Sequence, residues 1–225
     1  MNVQLMTDGS SDLPKSLIDK LHIKVIPLYV NFGSKQYQSG VEINIPTFHK
    51  MLKESSDFPR SSAPAPQEFY QAYKEVEPNK PIVMLTLSSG ISSTYNHALM
   101  GMNMLLEEQP NREITIIDSK TASSGLILLL DEAGKKLAEG YTYEQLVKHL
   151  YQRVEQTTTL FILKTIENLV RGGWLDKVRG AIVKTLNIKL LMRGSDEGTI
   201  EVTEKVRGDK KSIRRFIEQI GEYTK

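Results

Sequence analysis

Short apolar runs that each end in small polar residues, with helical stretches between them, are what most limit the fold of this chain. Val3 to Met6 runs into Thr7-Asp8-Gly9-Ser10-Ser11, Pro81 to Leu87 into Ser88-Ser89, and Ile114 to Ile117 into Asp118-Ser119. Between them lie segments with apolar residues at helical spacing, such as Phe69, Tyr70, Tyr73 and Val76. Strands and helices alternating in this way predict a mostly parallel sheet covered by helices, an α/β fold. The polar ends then gather at the carboxyl edge of the sheet, where open α/β sheets bind their ligands.

Local signals fill in the rest. Asp12 and Pro14 predict a helix start, Lys24 to Phe32 a second strand, and Thr47 the cap of a short helix over Phe48, Met51 and Leu52. Ser61-Ser62-Ala63-Pro64-Ala65-Pro66 reads as a loop, because prolines two apart do not fit inside an element. Tyr95 to Glu108 is helical. A helix from Ser123 or Ser124 carries the run Gly125 to Leu130, which predicts burial on most sides, and Thr142 caps a helix reaching about Gln156. From Thr157 the pattern changes. Leu160 to Leu163 is a strand, Arg171-Gly172-Gly173-Trp174 a break with a helix after it, and Ile188 to Met192 with Thr199 to Lys205 a hairpin around Asp196-Glu197-Gly198. Lys210 to Tyr223 closes as a helix. The reading is two α/β domains, residues 1–156 and a smaller 157–225.

Composition removes several classes. Across 225 residues, 29 basic and 27 acidic side chains leave a net charge of +2, which is no footprint for nucleic acid. The chain has no cysteine, so disulfide frameworks, thiolate zinc sites and cysteine nucleophiles are excluded. The start has neither the charged nor the apolar region of a signal peptide, and the apolar run Leu126 to Leu130 is far too short to span a bilayer. The expectation is a soluble, cytoplasmic protein. His22, His49, His97 and His149 have no metal-site spacing.

The Ser88 to Thr94 loop leads into a helix amino end, where free N–H groups and the dipole favour an anion and serine hydroxyls add donors. Serines also cap helices routinely. No phosphate-binding G-x-x-x-x-G-K-[ST] string is present, which leaves a carboxylate or a single phosphate open. Asp8 and Asp118 read either as paired carboxylates or as aspartates bonded to neighbouring amides, and His97 either as a contact of Ser92 or as a helix-surface residue. Met100, Met102 and Met104 with the Gly125–Leu130 run line an adaptable apolar cavity or simply fill a core. Lys205, Arg207, Lys210, Lys211, Arg214 and Arg215 form either a solvated face or a docking patch for an acidic partner.

Several motifs in fixed order resemble the DegV family. Thr7-Asp8-Gly9-Ser10-Ser11-Asp12-Leu13-Pro14 looks like its opening T-D-S-T-x-D-L-P, and Arg60-Ser61-Ser62-Ala63-Pro64-Ala65-Pro66 is similar to its T-S-Q-P-S-P loop. Ser88-Ser89-Gly90-Ile91-Ser92-Ser93-Thr94-Tyr95 resembles S-S-x-L-S-G-T-Y. Asp118-Ser119-Lys120, Gly172-Gly173, Leu186-Asn187-Ile188-Lys189 and Arg207-Gly208 follow in the family's order. The resemblance implies two α/β domains with a long-chain fatty acid between them. It also implies a non-catalytic role as the acyl-carrying subunit of bacterial fatty-acid kinase, serving phospholipid metabolism beside a separate ATP-dependent kinase subunit. The family's carboxylate-binding threonine falls on Ser61 and its loop serine on Ser92. Ser62, Ser88, Ser93, Asp8, Ser10, Asp118 and Ser119 are further pocket or loop candidates, and Arg171 and Arg207 are candidates for partner docking. Beyond the fatty acid no cofactor or metal is expected, and membrane contact is expected to be transient, without insertion.

This chain departs from the family pattern at Gly9, Ala63 and Ser93, and Trp174 stands where an arginine is usual. Family members run on past the position of Lys225 and carry a histidine near the carboxylate site, so the second domain is expected to be incomplete. Two other readings of the same residues are a stand-alone hydrolase or phosphotransferase using Asp8, Ser92 or Asp118, and a degenerate binding or regulatory module that holds no lipid.

Overall fold

The computed structural model describes residues 2–163, 165, 167–171 and 188–224. The chain begins with β1 (Gln4–Asp8), α1 (Lys15–Leu21), β2 (Lys24–Ile26), β3 (Tyr29–Phe32), β4 (Lys35–Gln38), α2 (Ile45–Glu54), β5 (Arg60–Ser62) and α3 (Pro66–Lys74). It continues through β6 (Ile82–Thr86), α4 (Thr94–Glu108), β7 (Ile114–Asp118), α5 (Ser124–Ala138) and α6 (Tyr143–Glu155). After these come β8 (Leu160–Leu163), α7 (Glu167–Arg171), β9 (Ile188–Gly194), β10 (Ile200–Arg207) and α8 (Asp209–Tyr223).

The expected parallel sheet forms in the order β2-β1-β6-β7. Its inner strand β6 is apolar from Ile82 to Leu85 because it is buried on both faces. Val83 and Leu85 join Leu126, Leu129 and Leu130 of α5 and Leu146, Leu150 and Val154 of α6. Ile82 and Met84 face the other way, onto Phe69 and Tyr73 of α3 and Ala98 and Leu105 of α4. The register pairs Thr7 with Leu85 and Thr86 with Asp118, so the carboxyl ends of β1, β6 and β7 finish level with one another. Helices α3 and α4 cross closely at Gly101, where a Cβ would lie 2.6 Å from the Phe69 Cβ and 2.7 Å from the Pro66 carbonyl oxygen.

Local signals misplace five features. The single strand expected over Lys24 to Phe32 is two strands in two sheets, β2 parallel to β1 and β3 antiparallel to β4 and β5. Pro27, which has no N–H to donate and a fixed φ, stands at the break. The expected Ser61–Pro66 loop begins as β5, paired through Val30 with Ser61, and Pro66 opens α3. Asn44, not Thr47, caps α2, its Oδ1 accepting the Thr47 N–H at 2.9 Å. Asp12 is left-handed with φ 51° and lies outside α1, which Pro14 precedes. The run in α5 is buried on one side only, and Leu128 is 65% exposed. Thr142 caps α6 as expected, in a reciprocal box with Gln145.

The second, smaller α/β unit is the antiparallel sheet β10-β9-β8 with α8 against one face. On its opposite face Leu190 and Met192 are buried, with Phe161, Leu163, Leu169, Ile188, Ile200 and Val202 partly covered around them. The hairpin turns through Gly198 at φ 75°, closed by Ser195 N–H to the Thr199 carbonyl at 2.7 Å. The break expected at Gly172-Gly173-Trp174, and the helix after it, lie outside the described residues.

Gly101→Val forces two packed helices apart and is expected to lower the unfolding free energy by about 1–3 kcal/mol. A urea titration of the variant against the parent checks this.

Candidate functional site at the strand ends

The strand-end carboxylates are turned inward on the chain's own backbone. Asp8 is fully buried, and its Oδ2 accepts the Leu87 N–H at 2.7 Å. Its Oδ1 accepts the Ser10 N–H at 2.9 Å and the Ser10 hydroxyl at 2.5 Å. Burial pushes the Asp8 carboxyl above its ordinary 3.8, and the bonds from Ser10 and Leu87 pull it partway back. On the other side of β6, Asp118 Oδ1 accepts the Ser89 and Lys120 N–H groups, each at 3.1 Å, and Oδ2 accepts the Ser89 hydroxyl. Each carboxylate therefore holds a separate part of the exit loop of β6.

The predicted serines divide by what they touch. Ser88 is buried, donates to the Gly198 carbonyl at 2.7 Å and accepts the Gly90 N–H at 3.2 Å. Ser119 is buried and exchanges bonds with the Thr121 backbone, both at 3.2 Å. Ser62 Oγ accepts from the Asn31 side chain at 3.1 Å and from the Gln36 side chain at 3.5 Å. Ser61 and Ser93 are exposed, and neither hydroxyl has a hydrogen-bond partner among the described residues. Ser92 is half-buried and shares one hydrogen bond with the Thr94 hydroxyl at 2.8 Å, while accepting the Thr94 N–H at 3.2 Å.

His97 joins the two segments that carry these hydroxyls. It does not meet Ser92. Its Nδ1 donates to the Pro64 carbonyl at 2.7 Å, fastening the first turn of α4 to the loop between Ser62 and α3. Ser61 stands just before that fastening on β5, and Ser92 and Ser93 stand at the amino end of α4. The sequence offers either a Ser92 contact or a helix-surface place for His97, because a bond to a carbonyl 33 residues away leaves no local trace. Arg171 is also drawn to this side. Its guanidinium lies 4.7 Å from the centroid of the Phe58 ring, which precedes β5, and 4.0 Å from Glu167. Arg207 is exposed at the end of β10, paired in register with Ile188.

The hairpin of the smaller unit seats on the β6 exit loop. A Cβ at Gly90 would come 2.7 Å from the Gly198 oxygen, and one at Gly198 would come 2.1 Å from the Ser88 hydroxyl. The Thr121 and Thr159 hydroxyls add a 2.6 Å bond across the same joint. A cleft of about 810 Å³ lies beyond it, lined by Leu128, Leu129, Leu160, Phe216 and Ile220 among others. Another of about 580 Å³ is lined by Leu13, Ile18, Val25, Val30, Ile43 and Phe48 among others. Among the described residues no group of His, Asp and Glu is placed to hold a metal ion, and no helix is long and apolar enough to cross a membrane.

The family model described as uncharacterised protein, DegV family, matches residues 2–225. A DegV domain-containing protein of Streptococcus pyogenes serotype M1 is 31% identical over 223 residues, 98% of this chain and 78% of that protein. Among solved structures, a fatty-acid-binding DegV family protein from Thermus thermophilus superposes with a TM-score of 0.85 at 30% identity, covering 99% of this chain and 78% of that one. The Streptococcus pneumoniae Fatty Acid Kinase (Fak) B3 protein, solved loaded with linoleic acid, gives 0.84 at 26% identity, covering 99% and 79%.

Two outcomes are expected from the joint. Gly198→Ala places a Cβ on the Ser88 hydroxyl at a left-handed φ, and is expected to cost about 1–3 kcal/mol in urea unfolding. Because burial raises the Asp8 carboxyl, its protonation favours the folded state, and the associated stability is full below 3.8 and lost as pH rises through the raised value. Asp8→Asn removes that dependence. The stability of the variant relative to the parent is therefore expected to climb with pH across that acidic window, and a flat difference would contradict the burial argument.

Proposed function

The chain belongs to the DegV family, and on that premise we propose that it binds a long-chain fatty acid and presents the carboxylate to a separate ATP-dependent kinase subunit, which forms the acyl phosphate. The observation that carries the proposal is the division among the polar groups. Asp8, Ser10, Ser88, Asp118 and Ser119 are taken up by the chain's own loops, whereas the Ser61 and Ser93 hydroxyls have no partner among the described residues, on two segments that His97 ties together. In this reading Ser61 and Ser92 bind the carboxylate, with the amino end of α4 supplying favourable dipole. When Thr94 donates to Ser92, the Ser92 proton is released toward the ligand. Ser62 keeps β5 in place through Asn31, and Ser93 lies near enough in sequence to add a donor.

The acyl chain in this proposal lies between the two domains, residues 1–156 and 157–225, along the sheet face opposite α8. Phe161, Leu163, Ile188, Ile200 and Val202 offer apolar surface there. Burying about 14 methylenes at ~0.8 kcal/mol each amounts to roughly 11 kcal/mol gross. A hydroxyl bond to a charged carboxylate contributes about 1.5–3 kcal/mol. The tail then holds the ligand and the hydroxyls aim it. Arg171 and Arg207 are the proposed contacts for the kinase subunit, and because that partner uses ATP the proposed setting is cytoplasmic. The proposal gives this chain no catalytic residue. A stand-alone hydrolase would need a base on Ser92, and His97 Nδ1 is instead committed to Pro64.

The test starts with native mass spectrometry of the purified chain and extraction of whatever it carries. A stoichiometric long-chain fatty acid is the expected result. An empty chain that takes up no added fatty acid overturns the reading and favours a module without lipid. The Ser61→Ala, Ser92→Ala double variant is then expected to retain lipid while acyl-phosphate formation, with a fatty-acid kinase subunit and ATP, falls by at least about tenfold. Equal loss of retention and phosphorylation would refute the division between tail and head.

A further inference from the structure

Ser61 and Ser92 are held in place by different anchors. Ser92 belongs to the clamped exit loop of β6, where its N–H donates to the Ser88 carbonyl at 3.1 Å. Ser61 stands on β5, a three-residue strand at the edge of its sheet that pairs with β3. The chain after β5 has few donors to fix itself with. Pro64 and Pro66 have no N–H, and Ala65 gives its N–H to the Glu68 side chain at 2.7 Å.

His97 spans the gap between these anchors. The Pro64 carbonyl can only accept, so the proton in the 2.7 Å bond sits on Nδ1 of the imidazole. Through its own backbone N–H, His97 donates to the Ser93 carbonyl at 2.9 Å. One residue therefore links the Pro64 carbonyl, three positions after Ser61, to the residue that follows Ser92. The ring bonds to neither the Ser61 nor the Ser92 hydroxyl. With φ fixed at Pro64 and Pro66, a shift at the Pro64 carbonyl passes along the connection instead of being absorbed by it.

We propose that His97 is a positioning residue that sets the Ser61 hydroxyl against Ser92, so that both hydroxyls take one carboxylate together. This rests on the reading of Ser61 and Ser92 as the carboxylate site. Without the tie Ser92 keeps its place on the clamped loop, and Ser61 no longer reaches the shared ligand.

Two measurements on the full chain test this. Hydrogen exchange of the amides over residues 61–65 is expected to quicken about two- to tenfold in His97→Ala. Acyl-phosphate formation by the lipid-loaded variant, with a fatty-acid kinase subunit and ATP, is expected to fall about tenfold while native mass spectrometry shows the lipid retained. His97→Asn keeps an N–H donor at the place of Nδ1 and is expected to restore both readings, whereas His97→Gln carries its amide one atom farther and is not. The sharpest outcome is a double-mutant cycle. Added to His97→Ala, Ser61→Ala is expected to cost less than about twofold more, whereas Ser92→Ala costs the same factor as in the parent. Full additivity of His97→Ala and Ser61→Ala overturns the proposal, as does unchanged exchange over 61–65 or a loss that His97→Asn does not repair. A parent indifferent to Ser61→Ala and Ser92→Ala fails the carboxylate reading itself and removes the positioning role with it. The serine variants alone report that failure, before His97 is changed.

Discussion

Two aspartates gripping the exit of one strand set the position of nearly everything else that matters here. Asp8, at the end of β1, takes the Leu87 N–H, and Asp118, at the end of β7, takes the Ser89 N–H. Because β1 and β7 flank β6 in the sheet, the loop leaving β6 is clamped from both sides. Hydrogen bonds to charged groups are among the stronger ones, and these supply partners for backbone donors at a sheet edge. From the clamped loop the amino end of α4 follows, and with it Ser92, Ser93 and His97. His97 then carries the constraint to the Pro64 carbonyl and so to the segment that bears Ser61.

The same loop is the seat for the smaller unit. Ser88 reaches the Gly198 carbonyl, and there is no room for a side chain at Gly90, against the Gly198 carbonyl, or at Gly198, against the Ser88 hydroxyl and Lys120. Glycine at 198 answers two demands together, a left-handed φ of 75° and an approach that a Cβ would block. A hydroxyl that binds a backbone carbonyl in another unit is not free for a ligand. The carboxyl edge of a parallel sheet thus holds two populations of polar residues, those that join loops and those left over, and only the second is suited to bind.

Arg171 stacks on Phe58 and so brings α7 to the segment before β5, on the side where Ser61 stands. Arg215 joins the α8 inner face to Glu204 on β10. Exposed ion pairs of this kind add little to stability but fix which way an amphipathic helix faces.

The sequence by itself determined the α/β architecture, the polar strand ends, the capping of α6 by Thr142 and the hairpin around Gly198. All of these rest on local rules: periodicity, a cap three residues from its partner, a turn between two apolar runs. It misread Lys24 to Phe32 as one strand and Ser61-Ser62 as the start of a loop, because sheet membership is decided by strands distant in sequence. Tertiary structure alone decided which hydroxyls are consumed and which remain free. The deciding bonds join residues 79 apart at Asp8 and Leu87 and 110 apart at Ser88 and Gly198. A serine carries the same local signature whether it caps, joins or binds, and only the folded chain brings up the carbonyl or amide that takes its hydrogen bond.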